Sequence, residues 1–104
     1  MNTECFREQV RSYRTLTGKT QEELAKVLGL NPQVLSHKLH GVRNARLTHR
    51  EVKAIVTTLV QWGAMSKQAE ARDLLELMEC PDFPPAQWDE PPLNRLEAAA
   101  NSSR

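Results

Sequence analysis

Hydrophobic residues recur at helical spacing along most of the first 80 positions. Between residues 4 and 16, Phe6, Val10, Tyr13 and Leu16 fall every third or fourth position and form one apolar stripe. No segment alternates polar and apolar residues as a strand would. The pattern therefore predicts an all-α fold, a compact bundle of about five helices. The predicted helices cover approximately residues 4–16, 20–28, 31–39, 48–62 and 66–80.

Residues that favour helix ends border these segments. Thr20 with Glu23, and Thr48 with Glu51, have the spacing of a capping box, in which side chain and backbone satisfy each other's hydrogen bonds. Ser66 is the predicted N-cap of the fifth helix, and a proline ends that helix. Each glycine follows a predicted helix, where a left-handed residue is common. These glycines are Gly18, Gly29, Gly41 and Gly63.

The proline content divides the chain in two. Five of the six prolines lie within residues 81–92, and proline disfavours regular helix interiors. We therefore expect a helical domain over residues 1–80 and an irregular Pro-rich tail over residues 81–104, partly disordered or packed back on the domain. Phe83 and Trp88 in this tail are expected to cover an edge of the core. The alternative is that they anchor a partner subunit.

Features of exported or membrane-bound proteins are absent from the sequence. No apolar run reaches the roughly 18 residues of a membrane span, and the first residues lack the basic and apolar regions of a signal peptide. Cys5 and Cys80 lie far apart in unrelated contexts, so we expect two thiols in a reducing compartment. Cytoplasmic residence, with no membrane contact, is the resulting expectation.

Known catalytic and metal-binding patterns are also missing. The chain has no nucleophile elbow, no glycine-rich phosphate loop and no paired carboxylates suited to a cleft. His37 and His40 are one helical turn apart, a spacing compatible with a metal, but no third ligand lies nearby in the sequence. We expect two surface histidines, no metal, no cofactor and no enzymatic activity.

Charge is unevenly distributed along the chain. Residues 1–62 contain ten Lys/Arg and five Asp/Glu, a formal charge of +5, whereas residues 63–104 contain four and eight, a formal charge of −4. A basic region confined to one part of a protein is what phosphate binding requires. Residues 1–62 are therefore the candidate region for contact with nucleic acid.

Residues 20–41 have the pattern of two short helices joined by a tight turn. Gly29 permits the sharp reversal, Ala25 is small where the helices would cross, and Asn31-Pro32 has the order of an N-cap followed by proline at the first helical position. Leucines at intervals would face the core and set the angle between the helices. These leucines are Leu24, Leu28, Leu30, Leu35 and Leu39.

This segment resembles the helix-turn-helix of the lambda-repressor-like family, the phage repressor and Cro type, over roughly residues 6–62. The resemblance implies that the second helix of the motif sits in the DNA major groove and that the first crosses the backbone. The matching residues are Thr20-Gln21, Leu24-Ala25, Gly29, Leu35-Ser36 and Gly41.

The same resemblance implies a set of residues that contact base edges. Gln33 can pair in bidentate fashion with adenine. The sequence departs from the family at Pro32, which offers no hydrogen bond. It also has no arginine in the second helix, so modest sequence discrimination is expected. The base-contacting positions are Pro32, Gln33, Ser36, His37 and His40.

A second set of residues is expected to contact phosphates. Four to six such contacts predict a slope of log affinity against log salt of about −4 to −5 per subunit. Arg7 and Arg11, on the side of the first helix away from the apolar stripe, are best interpreted as a solvated face. The phosphate-contacting residues are Arg14, Lys19, Gln21, Lys38, Arg43 and Arg46.

The sequence thus predicts a transcriptional regulator that binds double-stranded DNA as a homodimer, paired through residues after Gly63. The alternative is a protein-interaction or adaptor module with the same fold. Residues 44–53 and 91–95 also resemble N-terminal segments of large bacterial signalling ATPases, in which a helix-turn-helix module precedes a nucleotide-binding domain. That likeness implies a larger signalling partner or a stand-alone relative.

Overall fold

The computed structural model describes residues 3–41, 45–91 and 93–96, with the side chain of Arg95 left out. This part of the chain is all-α, as predicted, and none of its helices is long and apolar enough to cross a bilayer. Its elements are α1 (Thr3–Thr17), α2 (Gln21–Leu28), α3 (Pro32–His40), α4 (His49–Gln61), α5 (Gln68–Leu77), α6 (Pro85–Trp88) and a 3-10 turn (Leu93–Arg95).

The core is organised around α4, which contacts α1, α2, α5 and the 3-10 turn. One face of α4 is buried because Val52, Ile55, Val56 and Leu59 recur at helical spacing, and all four have no exposed surface. Helix α3 packs on α1 and α2 instead. The largest core side chains with less than 2% exposure are Phe6, Val10, Leu24, Leu35, Leu39, Val52, Ile55, Val56, Leu59, Leu74, Leu75 and Leu93.

The predicted capping boxes are present at both sites. The Thr20 hydroxyl accepts from the Glu23 N–H at 3.1 Å, and the Glu23 carboxylate accepts from the Thr20 N–H at 3.1 Å. Thr48 and Glu51 make the equivalent pair of bonds at 3.1 and 2.9 Å. These exchanges satisfy backbone donors that the first turn of a helix leaves unpaired. They fix where α2 and α4 begin.

Leu16 does not belong to the apolar stripe of α1, contrary to expectation. Phe6 and Val10 are buried and Tyr13 is partly buried, but Leu16 is 75% exposed. At about 100° per residue, Leu16 lies roughly 90° from the centre of the stripe, whereas Thr17 continues it. Leu16 is therefore an exposed apolar side chain.

Helix α5 begins and ends at residues other than those predicted. Its N-cap is Lys67 rather than Ser66, because the Glu70 carboxylate accepts from the backbone N–H groups of both residues, at 2.9 and 3.0 Å. The helix ends at Leu77 rather than at Pro81. Glu79 then adopts φ 52°, a left-handed conformation that the sequence did not indicate because glycine usually fills it.

The segment after Pro81 supplies part of the core. Phe83, Trp88, Leu93 and Leu96 are all buried, with exposures from 1 to 7%. The Phe83 and Trp88 rings meet edge to face at a centroid distance of 5.2 Å. A short helix, α6, and the 3-10 turn within residues 81–96 were not predicted. Residues 97–104 of the predicted tail lie outside the described residues.

An ion pair joins α3 to the start of α4. Lys38 Nζ lies 2.7 Å from the Glu51 carboxylate, and both side chains are about one-fifth exposed. Partial burial raises the pKa of Glu51, but hydrogen bonds from Lys38 and from the Thr48 backbone, together with the Lys38 charge, outweigh it and lower the pKa below its ordinary value of 4.5. Glu51 thus serves α3 and the α4 cap together.

We expect this pairing to make stability depend on pH. Because the pKa of Glu51 is lower in the folded state, its contribution is present above pH 4.5 and is lost as pH falls through the folded-state pKa. We expect the free energy of unfolding, measured with urea at about pH 6 and about pH 3, to fall less between these two pH values for Glu51→Gln than for the unchanged chain. Glu22→Gln changes an exposed residue of α2. Its free energy of unfolding should fall by as much as that of the unchanged chain. Equal pH dependence in all three proteins would contradict the prediction.

Candidate nucleic-acid interface

The connection between α2 and α3 is short and held by backbone hydrogen bonds. Gly29 has φ 75°, and the N–H groups of Gly29 and Leu30 donate to the carbonyls of Lys26 and Ala25 at 3.1 and 2.9 Å. This pair of bonds is the Schellman pattern, which needs a left-handed residue that glycine adopts without strain. Asn31 Oδ1 then accepts from the Gln33 N–H at 2.8 Å and opens α3. Three residues therefore set the path from α2 to α3.

Helix α3 is anchored along one side only. Leu35 and Leu39 are buried at 0 and 1% exposure. Residues three and four positions apart share a face of a helix, so Gln33, His37 and His40 share a face directed away from those leucines. Gln33 and His40 are exposed and His37 is half-buried. The core holds the helix and leaves this outer face open.

The five predicted base-contacting residues differ in exposure. Pro32, Gln33 and His40 are exposed, whereas Ser36 and His37 are half-buried. The Ser36 carbonyl lies 2.9 Å from His40 Nδ1. Because a carbonyl only accepts, Nδ1 is the donor, and Nε2 of His40 is left for another interaction.

Val34 was missed by the sequence reasoning. It is 40% exposed on α3, next to Gln33. Val34 does not belong to the four-residue spacing of Leu35 and Leu39, and this indicated that it points away from the core. Val34 adds an apolar contact to a face otherwise formed by amide and imidazole groups.

A cleft between α1, the start of α2 and the end of α3 contains two of the predicted phosphate contacts. We name it the arginine groove; its volume is about 220 Å³. It brings Arg14 and Gln21 beside His40, together with two arginines that the sequence reasoning placed on a solvated face. Its lining residues are Arg7, Glu8, Val10, Arg11, Arg14, Gln21, Leu39 and His40.

Arg7 and Arg14 each reach a backbone carbonyl at this groove. Arg7 Nη1 donates to the Leu39 carbonyl of α3 at 3.4 Å, so Arg7 bridges two helices and is not merely solvated. Arg14 Nη1 donates to the Lys19 carbonyl at 3.2 Å. Partial burial, and then the nearby charge of Arg11, lower the pKa of Arg14 from its ordinary value. The groove therefore concentrates positive charge in a partly desolvated place.

The remaining predicted cations lie apart from the arginine groove. Lys38 and Arg46 line a second cleft of about 270 Å³ beside the C-terminus of α3. Arg46 is exposed, whereas Lys38 is paired with Glu51. Lys19 Nζ lies 5.6 Å above the Trp62 ring, a cation–π distance. Arg43, also a predicted phosphate contact, lies outside the described residues.

The histidines and cysteines do not suggest a metal centre. Across residues 3–41, 45–91 and 93–96, no group of three or more His, Cys, Asp or Glu side chains is placed to hold a metal ion. Cys80 is buried and its Sγ lies 3.6 Å from the His49 carbonyl, whereas Cys5 is exposed. Burial raises the pKa of the Cys80 thiol. That thiol is suited to packing rather than to ligation.

Comparison of the chain with protein-family models, with curated proteins and with solved structures finds no match. The geometry of α2, α3 and the two clefts beside them is therefore the basis for a functional proposal.

Proposed function

We propose that the chain is a transcriptional regulator that binds double-stranded DNA with α3 in the major groove. The observation that carries the proposal is the one-sided anchoring of α3. Leu35 and Leu39 hold it in the core, while its opposite face presents polar side chains, and two clefts that contain basic residues border its C-terminal end. A rigid helix with an open polar face and flanking cations is what major-groove recognition by a helix-turn-helix needs.

Each class of contact has suitable residues. Gln33 would read adenine through two hydrogen bonds, and Val34 would contact a thymine methyl group, which apolar side chains recognise. Arg14, Gln21 and Arg46 would bind phosphates and set the register of the protein on the duplex. Pro32 adds only apolar contact. With one amide carrying most of the hydrogen-bonded readout, a single copy would discriminate modestly between sequences.

Dimerisation would compensate for that modest readout, and we propose a homodimer that reads half-sites about one DNA turn apart. The residues expected to pair the copies lie after Gly63. Ala71, Leu74 and Leu75 of that region are buried in the monomer core, so pairing there would use exposed side chains of α5. Light scattering measures the oligomeric state directly.

We expect duplex binding that weakens steeply with salt. Fluorescence anisotropy with a random duplex should show affinity falling with a slope of about −4 to −5 per subunit in log–log form, because phosphate contacts release counterions. Selection of bound duplexes from a random pool should then give a palindromic consensus. Absence of binding at low salt would contradict the proposal.

Two substitutions test the assignment of α3 to the groove. Gln33→Ala should change which sequence is preferred, with a loss of about 1–3 kcal/mol on the selected site and little loss on random duplex. Arg46→Ala should weaken binding to every sequence alike and reduce the salt slope by about one. If the two variants behave identically on both duplexes, α3 is not the reading helix.

A protein-interaction module is the second candidate function. It is favoured by three large apolar side chains at the surface, Leu16, Val27 and Val34, which are 75, 56 and 40% exposed. Exposed apolar side chains are frequent at interaction sites. An adaptor would show neither duplex binding nor a salt slope, so the anisotropy titration separates the two candidates.

A further inference from the structure

The arginine groove contains more positive charge than its own residues balance. Arg7, Arg11 and Arg14 lie at spacings of four and three on α1, so they share one face of that helix. Glu8 is the one carboxylate among the lining residues. Within the described part of the chain, none of the three arginines forms an ion pair. Three arginines thus border one cleft, whose described lining includes a single carboxylate.

The positive charge in the groove lowers the stability of the unliganded protein. Partial burial, and then the charge of Arg11, disfavour the charged form of Arg14, and Arg14 Nε is buried with no hydrogen-bond partner. A buried donor left unpaired opposes folding. An anion in the groove would relieve the repulsion and accept hydrogen bonds from the guanidinium groups, which bind phosphate oxygens in a planar fork.

The uncharged lining supplies further donors. Gln21 is the first residue of α2, and its side-chain amide can donate hydrogen bonds. His40 has its Nδ1 occupied by the Ser36 carbonyl, so Nε2 is the ring atom left to interact with a ligand. The volume of about 220 Å³ equals about seven waters at roughly 30 Å³ each, which is enough for one or two phosphoryl groups.

We propose that the arginine groove binds a phosphate group, with Arg7, Arg11 and Arg14 as its principal donors. Such a group can come from a free phosphorylated small molecule or from the backbone of a duplex. Gln21 and His40 belong both to the groove and to the candidate DNA interface, so a small phosphorylated anion in the groove excludes duplex from it. This competition rests on the proposed function, whereas anion binding itself does not.

Titration calorimetry of the full chain with inorganic pyrophosphate, at constant ionic strength, tests anion binding without DNA. We expect a single site that Arg11→Gln weakens about tenfold and Arg7→Gln/Arg11→Gln weakens about a hundredfold, since each charge-assisted hydrogen bond is worth about one decade or more in affinity. Arg11 is exposed and makes no hydrogen bond through its side chain in the described structure, so R11Q keeps the fold even if the double variant loses stability.

Lys67→Gln is the matched control, because it removes one exposed positive charge at the start of α5 and is absent from the groove lining. K67Q should bind pyrophosphate as tightly as the unchanged chain. If the unchanged chain fails to bind, or if K67Q and R11Q lose affinity equally, the proposal is overturned, since binding would then follow net charge and not the groove.

The source of the phosphate is distinguished by repeating the duplex titration. If R11Q weakens duplex and pyrophosphate binding in parallel, and pyrophosphate displaces duplex, the groove takes the DNA backbone. If R11Q weakens pyrophosphate alone, the groove takes a free phosphorylated ligand. A chain that binds pyrophosphate through these arginines and never binds duplex would refute the proposed function and leave the groove assignment standing.

Discussion

Replacing Leu59 with alanine is expected to lower the free energy of unfolding by about 2–5 kcal/mol. Leu59 has no exposed surface and lies in α4, the helix that contacts α1, α2, α5 and the 3-10 turn. Truncation removes transfer free energy and leaves a cavity that surrounding helices cannot fully close. A domain of this size has a total stability of about 5–15 kcal/mol, so the variant should unfold at a clearly lower urea concentration.

Leu16→Ala is the matched control, because it makes the same chemical change at a side chain that is 75% exposed. Its effect should stay within about 0.5 kcal/mol, as for surface substitutions generally. Urea unfolding followed by far-UV circular dichroism measures both variants. A loss at Leu16 comparable to that at Leu59 would mean that α1 ends in a packed environment, contrary to the structure.

Replacing Trp88 with alanine is expected to cost about 3–5 kcal/mol, although Trp88 lies in a proline-rich segment outside the five main helices. The Trp88 side chain is 7% exposed, meets Phe83 edge to face, and has the Arg72 guanidinium 4.8 Å from its ring centroid. Aromatic and cation–π contacts add to the area that the ring buries. Residues 83–96 should therefore unfold together with the helices.

Trp88→Phe separates the ring's packing from its polar atom. Phenylalanine keeps an aromatic face for Phe83 and Arg72 and removes Nε1, a buried donor with no partner. We expect W88F to retain most of the stability that W88A loses, as measured by chemical denaturation. If W88A unfolds at the same denaturant concentration as the unchanged chain, the segment does not belong to the cooperative unit.

Local chemistry explains which parts of the fold the sequence could predict. Thr20 with Glu23 and Thr48 with Glu51 form capping boxes because each needs only four consecutive residues, and Gly29 takes its left-handed conformation for the same reason. The start of α5 was predicted wrongly although it also depends on local contacts. The Glu70 carboxylate accepts from the N–H groups of Ser66 and Lys67 and so sets the start of α5. Residue spacing alone did not favour this cap over one formed by the Ser66 hydroxyl.

The candidate site follows the same division. The exposure of Gln33 and the burial of Leu35 and Leu39 follow from helical periodicity, so they were predictable. The arginine groove was not, because it needs α1 to lie beside the end of α3, where Arg7 meets the Leu39 carbonyl. Spacing places Arg7 and Arg11 on one face but does not say that another helix borders that face. The Lys38–Glu51 pair also spans two helices.

The burial of Leu93 and Leu96 has a consequence for the order in which the protein matures. A ribosome adding about 5–20 residues per second completes α5 at Leu77 roughly 1–4 s before it adds Leu96. During that interval the residues of the five main helices have been joined, but the residues whose side chains cover one flank of α4 have not. A chain released within that interval would expose this apolar flank of α4 to solvent, and the addition of Leu93 and Leu96 would cover it.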